Sequence, residues 1–337
     1  RFSFTTKNPH AAPTNLVVSN VSASSATLTW TPGYQETIWT VEYKKSTDTE
    51  WMTETVNGNP TITLTGLDGI TTYNVQVHNG GNDGNYVSGS FTTAASFPYS
   101  QDFSDSPTGW TQYSGLLANV MNGTASLVSF SNVWTNGTSN GVLDGNHITA
   151  NIYGSSCYKW IVTPGIPVES NARLTFDVAY TAYSGTAANP ATGGTDDKFV
   201  VLISTDNMAT WTILRQWDNA GSAYVLNELT PAALSLNFDL SAYAGQYVNV
   251  AFYAESTEDN ADNNIHVDNV VFELKPSCEK PQNLAVNYEG GTTAAVTWEG
   301  EADKYNIDVN GTVTNNVTSP YSLEGLELGT TYTIKVQ

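Results

Sequence analysis

Positive charge and cysteine are both scarce in this sequence. Its 337 residues include 12 Lys and Arg against 32 Asp and Glu, which gives a formal net charge of −20. Nucleic acids and anionic lipids are bound through clustered Lys and Arg, so this balance argues against both and suits divalent cations instead. No apolar run approaches the roughly 18–20 residues of a membrane-spanning helix. Neither nucleic acid nor a membrane span is predicted.

The only cysteines are Cys157 and Cys278. Two thiols are too few to staple a chain of this length, so apolar cores must hold its domains together. The spacing of the two residues does not decide whether they are bonded to each other.

Apolar residues at helical spacing are also lacking. Thr, Ser, Asn, Gly and Val are abundant instead, and there are 18 Tyr and 9 Trp. β-Branched and aromatic residues suit the half-buried surface of a pleated sheet. The chain is therefore predicted to be nearly all β.

Two separated stretches repeat each other. The first ends at Trp30 and reads APTNLVVSNVSASSATLTW, and the second ends at Trp298 and reads KPQNLAVNYEGGTTAAVTW. Each is followed by a Gly-Leu pair and, seven residues after that glycine, by a tyrosine, at Tyr73 and Tyr332. A repeat of this kind indicates two copies of one module. The tryptophans suit a small sandwich core, and the tyrosines are placed for a tyrosine corner, in which the hydroxyl ties back a loop.

Both copies resemble fibronectin type III domains. On that resemblance, residues 11–94 form a complete domain and residues 277–337 a partial one. The tetrapeptide SFTT closes the complete domain at Ser90–Thr93 and recurs at Ser3–Thr6. Residues 1–10 are therefore predicted to hold the closing strand of a preceding fibronectin type III domain.

The central residues, 95–276, differ from both modules. Alternating stretches such as LTFDVAY, SLNFDL and YVNVAFYA predict strands, and KFVVLIST and TWTILRQW flank a hairpin turn. About eight to ten strands without helices predict a two-sheet jelly roll.

Three stretches of this central region carry a second resemblance. They read FPYSQDFSDSPTGWTQY, YKWIVTPGI and NNIHVDNVVF, in that order along the chain. Together they resemble the choice-of-anchor J, or cleaved-adhesin, domain of bacterial surface proteins, which is similar in fold to MAM domains. The resemblance covers just over half of the chain and implies a jelly roll with bound calcium.

The last of these stretches raises a question about Asp268. Counting by twos, Asp268 shares a strand face with Val270 and Phe272, so its carboxylate is expected on the apolar side. A buried carboxylate without a partner is costly. Its partner is a bound cation, or else an Arg, a Lys or an amide.

The family resemblance implies that calcium lies near the paired first and last strands of the jelly roll. It places Asp102 in the opening-strand acidic position and Asp268 in the final-strand position. Many relatives carry an acid directly after the opening phenylalanine, where this sequence has Ser104, and Asp105 is the substitute that the chain offers. Calcium accepts six to eight oxygens, including backbone carbonyls, and it is the predicted cofactor.

Motifs for catalysis are weak. GTSNG, around Ser139, fits the G-x-S-x-G pattern of serine hydrolases, but that motif works on the strand-to-helix elbow of an α/β fold. The four histidines lack zinc-binding spacing, and His266 is expected to face solvent or the other sheet. The chain is interpreted as non-catalytic.

These observations predict a secreted or surface-displayed bacterial module for adhesion or recognition, within a larger polypeptide. Its partner is expected to be a host or matrix protein, or a glycan. The alternative is a carbohydrate-binding accessory region of a larger secreted glycosidase or protease. For that function the candidate ligand-binding aromatics are Trp134, Tyr113 and Tyr183, of which Trp134 has the most polar and turn-forming neighbours.

Overall fold

The computed structural model describes residues 11–80, 85–186, 196–218, 228–259, 262–276, 280–288, 290–300 and 302–337. The predicted all-β class is confirmed, with sandwich sheets along the described chain. The chain divides into two compact units, residues 1–274 and 275–337. The predicted closing strand in residues 1–10 lies outside the described residues, as does Cys278, whereas Cys157 is a buried free thiol. Within the described chain, no helix has the length and apolar character needed to cross a membrane.

The first module is a small sandwich of two antiparallel sheets, ordered β1-β2-β5 and β4-β3-β6-β7. Its strands are β1 Thr14–Ser19, β2 Ser25–Thr31, β3 Ile38–Lys45, β4 Met52–Asn57, β5 Thr61–Thr65, β6 Thr72–Asn79 and β7 Tyr86–Thr92. Alternate residues of the strands point inward, so Trp30 meets Trp39 edge to face and Tyr73 stacks on Phe91 in one buried core. The predicted core role of Trp30 is confirmed.

Tyrosine corners are present in both repeats. The Tyr73 hydroxyl accepts the backbone N–H of Asp68 at 3.0 Å, and the Tyr332 hydroxyl accepts that of Glu327 at 2.9 Å. In each case the hydroxyl satisfies a donor in the turn that precedes the strand. The interpretation of these two tyrosines is therefore confirmed.

Removing the hydroxyl in Tyr73→Phe is expected to lower the free energy of unfolding by about 1–2 kcal/mol, because the Asp68 N–H loses its acceptor. Tyr34→Phe is the control, since the Tyr34 side chain is exposed and has no comparable bond. Urea unfolding of both variants measures the difference. Equal losses in the two variants would show that the corner contributes nothing.

The central sandwich has two larger sheets. Its strands are β8 Tyr99–Gln101, β9 Thr111–Ser114, β10 Val128–Ser129, β11 Thr135–Gly137, β12 His147–Ile152, β13 Cys157–Val162, β14 Ile166–Pro167, β15 Ala172–Ala182, β16 Lys198–Ser204, β17 Thr212–Asp218, β18 Leu234–Asp239, β19 Tyr247–Ser256 and β20 Asn263–Leu274. The front sheet has the order β10-β9-β13-β19-β16-β17, with β14 beside β19. The back sheet has the order β11-β12-β20-β15-β18, with β8 beside β20.

The front sheet is apolar on both faces. Phe199 and Val201 of β16 point into the main core between the sheets, whereas Val200 and Leu202 join an outer cluster around Trp160. Helix α1, Leu117–Met121, lies in the segment that covers this outer cluster. Strands buried on both faces lose the strict apolar-polar alternation of a half-exposed sheet, which accounts for the continuous apolar run of β16.

The second unit repeats the first module's arrangement in its sheets β21-β22-β25 and β24-β23-β26. Its strands are β21 Gln282–Asn287, β22 Ala294–Glu299, β23 Tyr305–Val309, β24 Thr312–Val317, β25 Tyr321–Leu323 and β26 Ile334–Val336. Trp298 is buried against Tyr305 in its core, as the repeat predicts.

Candidate metal centre

The first and last strands of the central sandwich lie side by side, as the resemblance implied. β8 pairs antiparallel with β20, and Gln101 is opposite Val270. Asp102 directly follows Gln101, so the turn after β8 carries it toward Asp268, and the charge of Asp102 acts on that residue. Two of the three predicted metal ligands therefore share one region.

The prediction that Asp268 lies on the apolar face of its strand is wrong, because a β-bulge interrupts β20. Thr175 pairs with Val271 but Asp177 pairs with Asp268, so one residue of β15 is opposite two residues of β20. Asn269 adopts a φ of 50° at this point. Val267 lies in the main core before the bulge and Val270 after it. Asp268 thus points to the outer face of the back sheet, away from that core.

Asp268 is nevertheless buried, with 1% of its surface exposed. The Asn269 backbone N–H donates to its Oδ1 at 2.7 Å, and within the described chain no Arg, Lys or side-chain amide contacts its carboxylate. Burial above all, together with the nearby carboxylates of Asp177, Asp102 and Asp144, raises the pKa of Asp268 to about 6. Of the partners that the sequence left open for the Asp268 carboxylate, neither a basic side chain nor a side-chain amide contacts it within the described residues.

Packing of Phe103 and two hydrogen bonds from Asn136 hold the turn after β8 in place. The Phe103 side chain is fully buried although its φ is 54°, and it packs edge to face on Trp110. The Asn136 amide donates to the carbonyl of Phe103 at 3.0 Å and to that of Asp105 at 3.1 Å. These contacts fix the turn and its carbonyls, while the side chain of Asp105 itself is exposed.

Asp102 is also exposed, and its carboxylate closes the turn. Its Oδ1 accepts the Ser104 hydroxyl at 2.8 Å and the Ser104 backbone N–H at 3.1 Å, and these bonds lower the pKa of Asp102. Ser104 thus supplies both of the donors that hold the Asp102 carboxylate. The negative charge of Asp102 contributes to the raised pKa of the buried Asp268 carboxyl group.

The oxygen atoms around Asp268 are of the chemical types that a hard cation prefers. Carboxylate and carbonyl oxygens are what calcium prefers, and the charges around Asp268 are all negative. In the part of the chain that the structure describes, however, no three His, Cys, Asp or Glu side chains are grouped closely enough to hold a metal. A calcium shell at Asp268 would therefore need backbone carbonyls and water beside the carboxylates.

The expectation of an exposed Trp134 is wrong. Only 2% of the residue is exposed, its ring lies in the main core, and its Nε1–H donates to the Lys159 carbonyl at 3.3 Å. The Gln112 side chain accepts the backbone N–H of Trp134 at 3.0 Å and fixes the approach to β11. The polar residues around Trp134 in the sequence belong to the surface turns, whereas the ring itself points inward.

The other two candidate aromatics differ from each other. Tyr113 is half-buried and packs against the outer cluster of the front sheet around Trp160. Tyr183 is 58% exposed, beside Asn264, whose amide donates to the Tyr183 carbonyl at 3.2 Å. Tyr183 is therefore the one of the three whose ring is available to a ligand.

The sequence missed a buried histidine pair on the outer face of the back sheet. His147 and His266 are both fully buried, and His147 Nε2 lies 3.1 Å from His266 Nδ1. Residues Ser139–Gly141, a short 3-10 turn, lie beside them, since the Ser139 carbonyl is 3.0 Å from His147 Nε2. The expectation that His266 faces solvent or the other sheet is therefore wrong, because the side chain is buried on the outer face of its own sheet. No sequence spacing relates the two residues, because β12 and β20 meet only through sheet pairing.

Comparison with known proteins finds a similarity at each end of the chain. The fibronectin type III domain model matches residues 11–93 and 279–337. A search of curated proteins found no match. The choice-of-anchor J resemblance of the central region stays a prediction.

Solved structures that resemble this chain cover about a quarter of it. A fibronectin type III domain of human collagen XX is 27% identical, covering 27% of this chain and 100% of that one, with a TM-score of 0.23. A redesigned β-sandwich protein is 29% identical, covering 24% and 93%, with a TM-score of 0.23. The FN5 domain of Drosophila Lar is 15% identical, covering 25% and 96%, with a TM-score of 0.22.

Proposed function

We propose that this chain is a non-catalytic adhesion or recognition segment of a larger secreted or surface-displayed bacterial protein, with a calcium-stabilised central jelly roll. Fibronectin type III domains are commonly adhesion or recognition modules, are generally non-catalytic and are often extracellular, and two regions of the chain match them. The proposed domains are residues 11–94, 95–276 and 277–337. The fibronectin type III domains space the jelly roll, which presents the surface that a host or matrix protein recognises.

Asp268 is the observation that supports calcium. It is a buried carboxyl group with no basic partner among the described residues, and the charge of Asp102 acts on it where the first and last strands of the sandwich pair. Burying such a group is unfavourable unless a positive charge accompanies it. A calcium ion bound by Asp268 and Asp102, with turn carbonyls and water, supplies that charge without any basic side chain.

Calcium is expected to stabilise the chain, and chelation is expected to lower its melting temperature. An ion that binds only the folded state adds about 2.7 kcal/mol at a concentration of one hundred times its Kd. The Asp268→Asn variant should lose the response, because its side chain no longer carries the charge that the ion neutralises. Differential scanning calorimetry of the full chain in calcium and in EDTA measures both effects.

Asp48→Asn provides the matched control, since Asp48 is an exposed carboxylate in the first module. It should keep the full calcium response. An Asp268→Asn protein that responds as strongly as the wild type would show that the ion binds elsewhere, and no response in the wild type would remove calcium from the proposal.

Glycan binding is the second candidate function, and the exposure of the Tyr183 ring supports it. An exposed aromatic ring can stack on a sugar while neighbouring amides bind its hydroxyls. Glycan-array binding that Tyr183→Ala abolishes would favour a carbohydrate-binding accessory region. Capture of matrix proteins with no glycan signal would favour adhesion to protein.

A further inference from the structure

Asp197 is completely buried at one end of the interior of the central sandwich. It directly precedes β16, where strand alternation places it on the inward face with Phe199. Asn263, the first residue of β20, is also completely buried. The Asn263 amide donates to Asp197 Oδ2 at 2.8 Å, and the Tyr180 hydroxyl donates to the same oxygen at 3.3 Å.

One oxygen on each side of this pair lacks a hydrogen-bond donor. Asp197 Oδ1 and Asn263 Oδ1 are both buried and unpartnered. Two acceptor oxygens cannot hydrogen-bond to each other, whereas a protonated carboxyl group donates one hydrogen bond.

The charged groups around Asp197 disfavour its ionised form. The adjacent carboxylate of Asp196 is negative, and the Cys157 thiol on β13 is buried close by. Lys198 is engaged elsewhere, since its ammonium binds the Glu255 carboxylate at 2.6 Å, and no ion pair joins a cation to Asp197 within the described residues. Burial above all, with the charge of Asp196, raises the pKa of Asp197 to about 7.

Asp196 connects this site to the end of β19. Its Oδ2 accepts the backbone N–H groups of Thr257, at 2.5 Å, and of Glu258, at 2.8 Å, and also accepts the Ser256 hydroxyl at 3.1 Å. The segment that follows β19 is thus anchored one residue away from Asp197. A negative charge that appears at Asp197 repels the Asp196 carboxylate, which makes this anchor.

We propose that the folded protein holds Asp197 as a neutral carboxylic acid, paired with the Asn263 amide through two hydrogen bonds, and that loss of this proton loosens one end of the central sandwich. The amide N–H binds Oδ2, and the acid O–H on Oδ1 binds the amide oxygen. Deprotonation leaves a buried carboxylate opposite an acceptor oxygen. The pair is therefore a pH switch, closed when the proton is bound and open when it is lost.

The Asp197→Asn variant tests the switch, because an amide keeps a donor toward Asn263 Oδ1 and cannot ionise. The ordinary pKa of Asp is 3.8, so the folded wild type binds this proton more tightly than the unfolded chain does. Its stability falls as the pH rises through the window from about 4 to 7 and then levels off. The ratio of the wild-type unfolding constant to that of Asp197→Asn should rise about 100-fold from pH 5 to pH 8.

Asp206→Asn is the matched control. Asp206 lies in the turn after β16, where bonds from Thr210 and Ser204 lower its pKa to about 2, so this variant should gain nothing at alkaline pH. A ratio that stays constant from pH 5 to pH 8 for Asp197→Asn would overturn the proposal. Stabilisation of the wild type by calcium chloride that Asp197→Asn abolishes would overturn it too, because a metal ion would then occupy the place of the proton.

A direct measurement covers the case in which the variant fails to fold. Carbon-13 NMR of the aspartate carboxyl groups in the wild-type chain follows the titration of Asp197 itself. The expected result is a midpoint close to pH 7, accompanied above that pH by lower protection factors at the amides of Ser256–Glu258, that is, by exchange that accelerates more than base catalysis alone requires. A midpoint below pH 5 would show that the buried group is ionised and that no proton is shared.

Discussion

Replacing Gly109 with alanine is expected to lower the free energy of unfolding by about 3 kcal/mol and to weaken the contact between the first module and the central sandwich. A Cβ atom at Gly109 would lie 2.0 Å from Cγ2 of Ile70 and 3.3 Å from Cβ of Pro164. The first distance is far inside van der Waals contact. The backbone also opposes the change, because the φ of Gly109 is 77°.

The clash matters because Ile70 connects the two parts of this unit. Its side chain packs against the main core of the central sandwich, although it belongs to the turn before β6 of the first module. Its φ of 50° is unusual for a β-branched residue, and its N–H donates to the Ala94 carbonyl at 3.1 Å. A second bond, from Ala95 N–H to the Gly165 carbonyl at 2.8 Å, lies at the same junction.

Gly123→Ala separates the steric effect from the backbone effect. Gly123 has a φ of 72°, and nothing lies within 4 Å of the Cβ position, so this variant pays only the conformational cost. Urea unfolding should show a much larger loss for Gly109→Ala. Adding Ile70→Ala should recover part of that loss by removing the clashing methyl group. Equal losses in the two glycine variants would mean that Ile70 adapts and that the contact does not depend on the glycine.

Sequence reasoning succeeded where one strand or one turn carries the signal. Trp30 and Trp298 end strands with clear alternation, and both are buried in sandwich cores. Tyr73 and Tyr332 follow the same turn in both copies and make the same bond. The pairing of the strand before Asp102 with the last strand was implied by the resemblance of the central region, and the structure has it.

Sequence reasoning failed where the outcome depends on a contact between distant strands. The bulge at Asn269 reverses the phase of β20, so counting by twos placed Asp268 on the wrong face. Asparagine tolerates a positive φ, which was the one available signal. Trp134 precedes an edge strand of three residues, too short for alternation to show. The Ile70–Gly109 contact joins two parts whose sequences say nothing about each other.

Acid is expected to destabilise the protein through the His147–His266 pair. The Ser139 carbonyl, 3.0 Å from His147 Nε2, requires a proton on that nitrogen, so His266 Nδ1 accepts from it. A second proton on His266 Nδ1 would place two N–H groups against each other. Burial, and then the charge of a protonated His147, lower the pKa of His266 to about 3.

The difference between the folded and unfolded pKa of His266 sets the direction in which stability changes with pH. The ordinary pKa of His is 6.5, so between about pH 6.5 and pH 3 the unfolded chain binds a proton that the folded chain refuses. Stability from this residue is therefore complete above pH 6.5 and is lost as the pH falls. The full loss is about 5 kcal/mol, of which about half is reached by pH 4.5. Asp268 and Asp197, whose pKa values are raised, act in the opposite direction, so the total slope does not isolate the histidines.

Comparing variants does isolate them. His266→Gln keeps polar atoms near Thr149 and Thr181 but cannot titrate. Between pH 7 and pH 4.5 the free energy of unfolding of this variant should therefore fall by about 2–3 kcal/mol less than that of the wild type. Urea unfolding at each pH measures this difference, and His147→Gln serves where the first variant does not fold. His78→Gln is the control, because His78 binds the Glu42 carboxylate in the first module and should leave the acid-dependent loss in place. Parallel pH profiles for the wild type and His266→Gln would show that the buried pair accepts a proton without cost and that the two N–H groups do not oppose each other.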